Sequence, residues 1–338
     1  MHFLVMRFSA MGDVALTVPA LRAALEGNDD LRLTVATRPL FAPFFSGLPR
    51  TRLFTPDLKE YPGLGGLRRL YHDLRAGSSY DAVLDLHDVL RTKILRRHFR
   101  RTGVPVHVID KGRREKRLLL WGVHKGPLRH TVERYLDVFR AAGITPAEVR
   151  PPYLKTDAHD LPAGGDPAVG FAPTARHPLK WWPPHLEVAF LKELPRHLPG
   201  VVVYLFGGPD EEETLRNMAR EGGSHVRTVC TLPLERQLAL MQQMKVVVTM
   251  DSANMHMATL LGVPVVSVWG ATHPWAGFGP WQGDERLIVQ IPREELRCRP
   301  CTIYGKGSCR RRDLACLHRI TPDRVIEKVL LALKPSRP

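Results

Sequence analysis

The chain is poor in cysteine and aromatic residues: five cysteines among 338 residues, and only 7% Phe, Trp and Tyr. So few thiols in a chain of cytosolic character argue against a disulfide framework. No run approaches the roughly 20 apolar residues of a membrane span. The N-terminus, with Arg7 and Asp13 in a strand-like start, does not read as a signal peptide. These absences point to a cytosolic protein. The sequence contains neither a GxGxxG after its first strand nor a GxxxxGK[ST] anywhere, so hydride transfer on a dinucleotide fold and P-loop phosphotransfer lose support. Acids are also in deficit, with 34 Asp and Glu against 49 Lys and Arg, a formal charge of +15. That surplus implies an anionic partner: nucleic acid, a nucleotide, a phosphorylated substrate or an acidic membrane face.

What remains is an ordinary globular composition, 44% apolar and 25% charged, with length enough for two domains that each bury a core. Strands and helices alternate, as in α/β proteins. HFLVMRF at 2–8 is a strand, 9–13 a tight turn, 14–25 a helix and 31–36 a second strand, which makes a βαβ unit. A polar, Gly- and Pro-rich stretch, 155–167, reads as a linker between domains at 1–157 and 166–338. Helix 321–333, opened by Thr321-Pro322, is of the kind that crosses back to the first domain.

Three places carry candidate chemistry. The first is Asp13, beside Gly12 at a strand's carboxyl end, either a helix cap or a carboxylate that takes a proton from an acceptor hydroxyl. The second is the stretch 246–274, strand, helix, strand. In doubly wound sheets, ligands bind beyond the strand carboxyl ends, where helix N-termini meet anions. Ser252 and Ala253 allow close approach of a phosphate, Asp251 suits sugar hydroxyls, and His256 lies one turn further in; the alternative is a plain cap and a satisfied helix residue. The third is the loop after strand 168–172, where Arg176 and Lys180 suit a diphosphate. Further on, the GGPDEEE turn offers acids to a ribose. Between Arg91 and Arg117, eleven Lys or Arg face two acids, with Phe99 the only aromatic residue, which disfavours single-stranded nucleic acid. Cys298, Cys301, Cys309 and Cys316 combine a CxxC with spacings of seven and six, which suits either reduced structural thiols or a structural zinc.

Taken together, MRFSAMGDVALTVPAL with its SxxGD turn, Lys180-Trp181-Trp182-Pro183, GGPDEEE and DSANMHMATLLGVPVVSVWGATHP resemble glycosyltransferase family 9, the ADP-heptose:lipopolysaccharide heptosyltransferases. The resemblance runs from Phe3 to about Val329, and the cysteine-bearing tail shares it. It implies a GT-B fold, two Rossmann-like domains facing across a cleft, with acceptor on the first and nucleotide-sugar on the second. It implies metal-independent, inverting heptose transfer from ADP-heptose to the Kdo/heptose inner core on lipid A, at the cytosolic face of the inner membrane and with peripheral membrane contact. By position, Asp13 corresponds to the catalytic base and Lys180 to the cation that stabilises the departing diphosphate. Glu212, or its neighbour Glu211, corresponds to the ribose-binding acid. Asp251 corresponds to the group that holds the heptose, Ser252 and Ala253 to phosphate donors, and His256 to their neighbour. The family often has Thr-Gly where this chain has Ser252-Ala253, which alters the loop backbone. Arg113, Lys116 and Arg117 supply charge opposite to an anionic acceptor, though no family motif covers them. Two other readings compete: a GT-B transferase for another nucleotide-sugar, and a basic nucleic-acid-binding protein with a zinc knuckle. The second is disfavoured because the charge coincides with no nucleic-acid module.

Overall fold

The structure is a computed structural model that describes residues 1–156 and 166–334. Most of the expected linker, with the domain limit at residue 157, lies outside the described residues. The chain divides into two compact units, Met1–Lys111 with Thr131–Leu154, and Gly112–His130 with Lys155–Pro338.

The first unit is built on five strands: β1 (His2–Met6), β2 (Arg32–Ala36), β3 (Thr51–Phe54), β4 (Ala82–Asp85) and β5 (Val106–Val108). All pair in parallel in the order β3-β2-β1-β4-β5. β1 is central, and Leu4, Val5 and Met6 are fully buried, as expected for an apolar run covered on both faces. The chain winds from β1 to β2 and β3 on one side and returns to β4 and β5 on the other. The winding direction therefore switches between β1 and β4.

The second unit repeats the plan with six parallel strands: β6 (Ala168–Ala172), β7 (Val202–Leu205), β8 (Val226–Thr228), β9 (Val246–Met250), β10 (Val265–Trp269) and β11 (Ile288–Gln290). The order β11-β10-β9-β6-β7-β8 puts its switch between β6 and β9. These are two Rossmann-like α/β sheets, the content of the GT-B expectation. The terminal helix Pro322–Leu333, expected to cross back, lies in the second unit, with Val325, Ile326 and Val329 in its core and its contacts on helix Pro184–His197. The segment Gly112–His130, expected in the first domain, also belongs to the second, because Leu119 and Leu128 are buried there with Ala276 and Ile303.

Candidate active site

Ligands of doubly wound sheets bind at the carboxyl edge where the winding reverses, and both switch points carry charged side chains. In the first unit, β1 runs out at Met6, and helix Met11–Ala15 begins after four intervening residues, with Ala10 as its cap. Asp13 is therefore inside the first turn and caps nothing. Its carboxylate instead meets Arg7 Nη2 at 2.6 Å, the arginine buried and the acid about one-third exposed. Arg7 also donates to Leu86 O at 2.6 Å, which ties the β1 exit to the β4 exit. The Tyr135 hydroxyl donates to the Asp13 carbonyl at 3.1 Å. Burial opposes the Arg7 charge, but Tyr135 and Asp13 around it outweigh burial and hold its pKa above the usual value. From β4, His87 brings Nε2 to 3.1 Å from Ser9 Oγ. Burial, then the charges of Arg7 and Lys111, push His87 down to about 3, so it is neutral at physiological pH. Asp85 accepts from the His87 and Asp88 N–H groups at 3.0 and 2.8 Å and from Arg96 at 3.0 Å. Arg7, His87 and Asp85 were not singled out from the sequence; the available signal was the pair His87-Asp88 at the end of a strand.

In the second unit the expected residues follow three adjacent parallel strands, β9, β6 and β7, and so share one edge of the sheet. Lys180 closes the single-turn helix after β6, and Asp251 follows β9 directly. They meet across the switch point, Nζ to Oδ2 at 2.8 Å, and both are largely buried. Ser252 is the cap of helix Ala253–Leu260, so the cap reading of Asp251 does not hold. Ser252 Oγ pairs with Thr249 Oγ1 at 3.2 Å rather than with the helix. The N–H groups of the first turn have no intrahelical acceptor, and their dipole end is positive. His256 is buried one turn in.

After β7, Glu211 accepts from the Gly208 N–H at 2.7 Å, whereas Glu212 pairs with Arg216 at 2.5 Å at the surface. Glu212 lines an open groove of about 900 Å³ with Asp210, Glu213 and Arg216. After β10, Thr272 and His273 are buried, and burial followed by Arg299 and Arg293 lowers His273 to about 3. Arg299, from the CxxC, is buried and donates to the carbonyls of Gly270 at 2.6 Å and of Trp269 and Thr272 at 3.1 Å. Gly305, at φ +79, abuts Lys180: a Cβ there would stand 2.8 Å from Lys180 Cγ and Cε. Sequence reasoning missed both Arg299 and Gly305.

The remaining expectations fare differently. Arg113 and Arg117 are exposed on helix Arg113–Leu120, but Lys116 is buried, its Nζ 4.3 Å from the centre of the Phe278 ring. The apolar side of that helix needs cover and the Lys116 stem supplies part of it, so Lys116 does not face an acceptor. Trp275 and Trp281 pack against His273 and His130 at ring separations of 4.7 Å. Cys298, Cys301, Cys309 and Cys316 are free thiols around one cavity of about 10 Å³. Four thiols suit a metal chemically. Among the described residues, however, no three His, Cys, Asp or Glu side chains are placed to hold a metal ion.

This arrangement offers a carboxylate held by an arginine on one unit, and a cation, an acid and a helix N-terminus on the other. Known proteins similar in sequence to this chain include heptosyltransferases. Lipopolysaccharide heptosyltransferase 1 of Escherichia coli K12 is 25% identical over 325 residues, covering 88% of this chain and 95% of its own length. Lipopolysaccharide heptosyltransferase 1 of Pseudomonas aeruginosa PAO1 is 24% identical over the whole of both chains. Among solved structures, the family 9 glycosyl transferase of Veillonella parvula superposes with a TM-score of 0.74 at 20% identity, covering 98% of this chain and 97% of its own. E. coli heptosyltransferase WaaC with ADP gives 0.71 at 21%, covering 98% and 100%. At those identities the superpositions speak for the fold. The sequence model of glycosyltransferase family 9 (heptosyltransferase) matches residues 67–304, well over half of the chain. The chain belongs to glycosyltransferase family 9, and it is an enzyme of glycosyl transfer.

Proposed function

We propose that this chain transfers heptose from ADP-heptose to the anionic Kdo/heptose inner core of lipopolysaccharide, with inversion at the anomeric carbon and without a catalytic metal, at the cytosolic face of the inner membrane. The observation that carries the reading is the Lys180–Asp251 pair at 2.8 Å, set at the switch point of the second sheet beside a helix N-terminus. It combines a cation for a departing diphosphate with an acid for sugar hydroxyls. The curated relatives are named for heptose transfer to lipopolysaccharide, and a WaaC structure holds ADP.

In this mechanism the acceptor hydroxyl gives its proton to the Asp13 carboxylate, and its oxygen bonds to the anomeric carbon. The bond from that carbon to the β-phosphate oxygen breaks, and ADP departs with the electron pair. A single displacement of this kind inverts the centre. Arg7, at 2.6 Å, orients the carboxylate towards the acceptor proton. Lys180 and the N–H groups at Ser252 and Ala253 take the charge that develops on the diphosphate, the part a metal ion plays elsewhere. Asp251 holds the heptose and His256 backs the loop. Glu212 takes the ribose in preference to Glu211, whose carboxylate is already engaged by Gly208. Arg113 and Arg117 meet the acidic acceptor.

Donor binding tests the reading. ADP and ADP-heptose should each raise the melting temperature. Asp251→Ala should weaken ADP-heptose while leaving ADP nearly unchanged, and Lys180→Ala should weaken both in calorimetry. Equal affinity for a UDP- or GDP-sugar would remove the donor assignment.

A further inference from the structure

The segment 113–129 carries two of the four most exposed large apolar side chains among the described residues, Trp121 and Val123. Helix Arg113–Leu120 is fastened by its inner side, through Leu119, Leu128 and the Lys116 stem, to Ala276, Phe278 and Ile303 of the second unit. Its outer side is therefore fixed. Arg114, Arg117 and Trp121, spaced by three and four residues, form one exposed stripe along it. At Gly122, φ +73, the chain turns back, and the N–H groups of Val123 and His124 both bond to Leu118 O, at 3.0 and 3.1 Å. This hook holds out Trp121 at 71% and Val123 at 66% exposure. Trp182 and Trp269, by comparison, are almost fully buried. Lys125 and Arg129 continue the exposed surface. Across 113–129 there are six basic residues and one acid, Glu115.

An indole and a β-branched side chain held in water by a rigid turn are costly unless something covers them. Their neighbours identify the cover. Cations flanking an exposed Trp are the composition of interfacial surfaces, where the ring sits at headgroup level and the cations meet lipid phosphates. Nucleic acid would use the charge, but it leaves Val123 without a role.

We propose that residues 114–125 form a docking surface for an anionic phospholipid bilayer, with Trp121 and Val123 at headgroup depth and Arg114 and Lys125 on lipid phosphates. The surface brings the enzyme to a membrane-borne acceptor, and in that respect it rests on the function proposed above.

Vesicle sedimentation with the full-length protein tests it, using phosphatidylcholine vesicles with and without phosphatidylglycerol. Binding should require phosphatidylglycerol, fall with added salt, and drop by about tenfold or more both in Trp121→Ser/Val123→Ser and in Arg114→Glu/Lys125→Glu. Both double variants should keep the wild-type thermal shift with ADP and the wild-type transfer rate to a detergent-soluble, short-chain acceptor. That control separates the two claims, because loss of transfer in the wild-type protein counts against the function, not against the docking surface. The proposal is overturned if wild type ignores phosphatidylglycerol vesicles, or if both variants bind like wild type. It is also overturned if binding appears only once the acceptor glycolipid is added, which would make Arg114, Trp121, Val123 and Lys125 part of the acceptor subsite.

Discussion

Asp13 does not cap its helix, and this is what makes it available for chemistry. The helix starts at Met11, two residues before it, and the carboxylate turns to Arg7. Asp13→Asn keeps the shape but removes the proton acceptor, so kcat should fall by about 10²- to 10⁴-fold while the affinity for ADP, measured by calorimetry, stays the same. Gly305 abuts Lys180, the cation of the proposed donor site. Gly305→Ala puts a methyl group into the Lys180 stem at a backbone angle that L-residues rarely adopt. Transfer should slow by about tenfold or more, with ADP affinity reduced as well, because the ammonium group leaves its place beside Asp251. Asp13, Lys180 and Asp251 were legible in the sequence because each stands at the carboxyl end of a strong apolar run. Arg7, His87, Arg299 and Gly305 were not. Their roles depend on which strands become neighbours, and no local pattern encodes that β1 pairs with β4 or that residue 305 returns to Lys180.

At the scale of elements, long apolar strands were read well. β6 spans Ala168–Ala172 as expected, and β9 stops one residue before Asp251. Short edge strands such as β3, β8 and β11 went unread, because three or four residues with partial burial leave little alternation to detect. The basic run 91–117 reads as charge in the sequence, yet it contains two helices, Leu90–Arg101 and Arg113–Leu120, whose inner faces rest on a few residues, among them Leu95, Phe99 and Leu119. The second of these joins the second unit through contacts more than a hundred residues away in sequence. One helix carries an unexpected burden. Glu187, in the first turn of Pro184–His197, is buried with Oε1 unpartnered, and burial raises its pKa well above the usual 4.5. A raised carboxyl contributes stability that is present below pH 4.5 and lost as pH rises towards the folded value. Glu187→Gln should therefore melt higher than wild type at pH 7 to 8 and at the same temperature below pH 4.5. Equal melting across the whole range would mean that Glu187 is not held neutral.

For the whole molecule, acid sensitivity follows from three histidines, two buried and one half-buried. His87 and His273 are lowered to about 3 and His130 to about 4, in each case first by burial, from the ordinary 6.5. Below pH 6.5 the unfolded chain takes up protons that the folded chain refuses, so stability should fall from pH 6.5 towards pH 4, at up to about 1.4 kcal/mol per pH unit for each histidine. Above pH 6.5 these groups should add no slope. Urea melts across that range, with His87→Gln and His273→Gln flattening the curve, check the sign. The net charge of +15 works at the same scale: in the proposed function it draws an acidic acceptor to the enzyme without choosing the sugar. In the proposed reaction, the choice of sugar and the displacement fall to Lys180, Asp251 and Asp13. The most direct measurement is mass spectrometry of a purified Kdo-bearing lipid A acceptor after incubation with the protein and ADP-heptose. The account predicts one added heptose with an equivalent of ADP released, in reactions that Asp13→Asn all but abolishes; an unmodified acceptor with folded, ADP-binding enzyme, or near-normal transfer by Asp13→Asn, would contradict it.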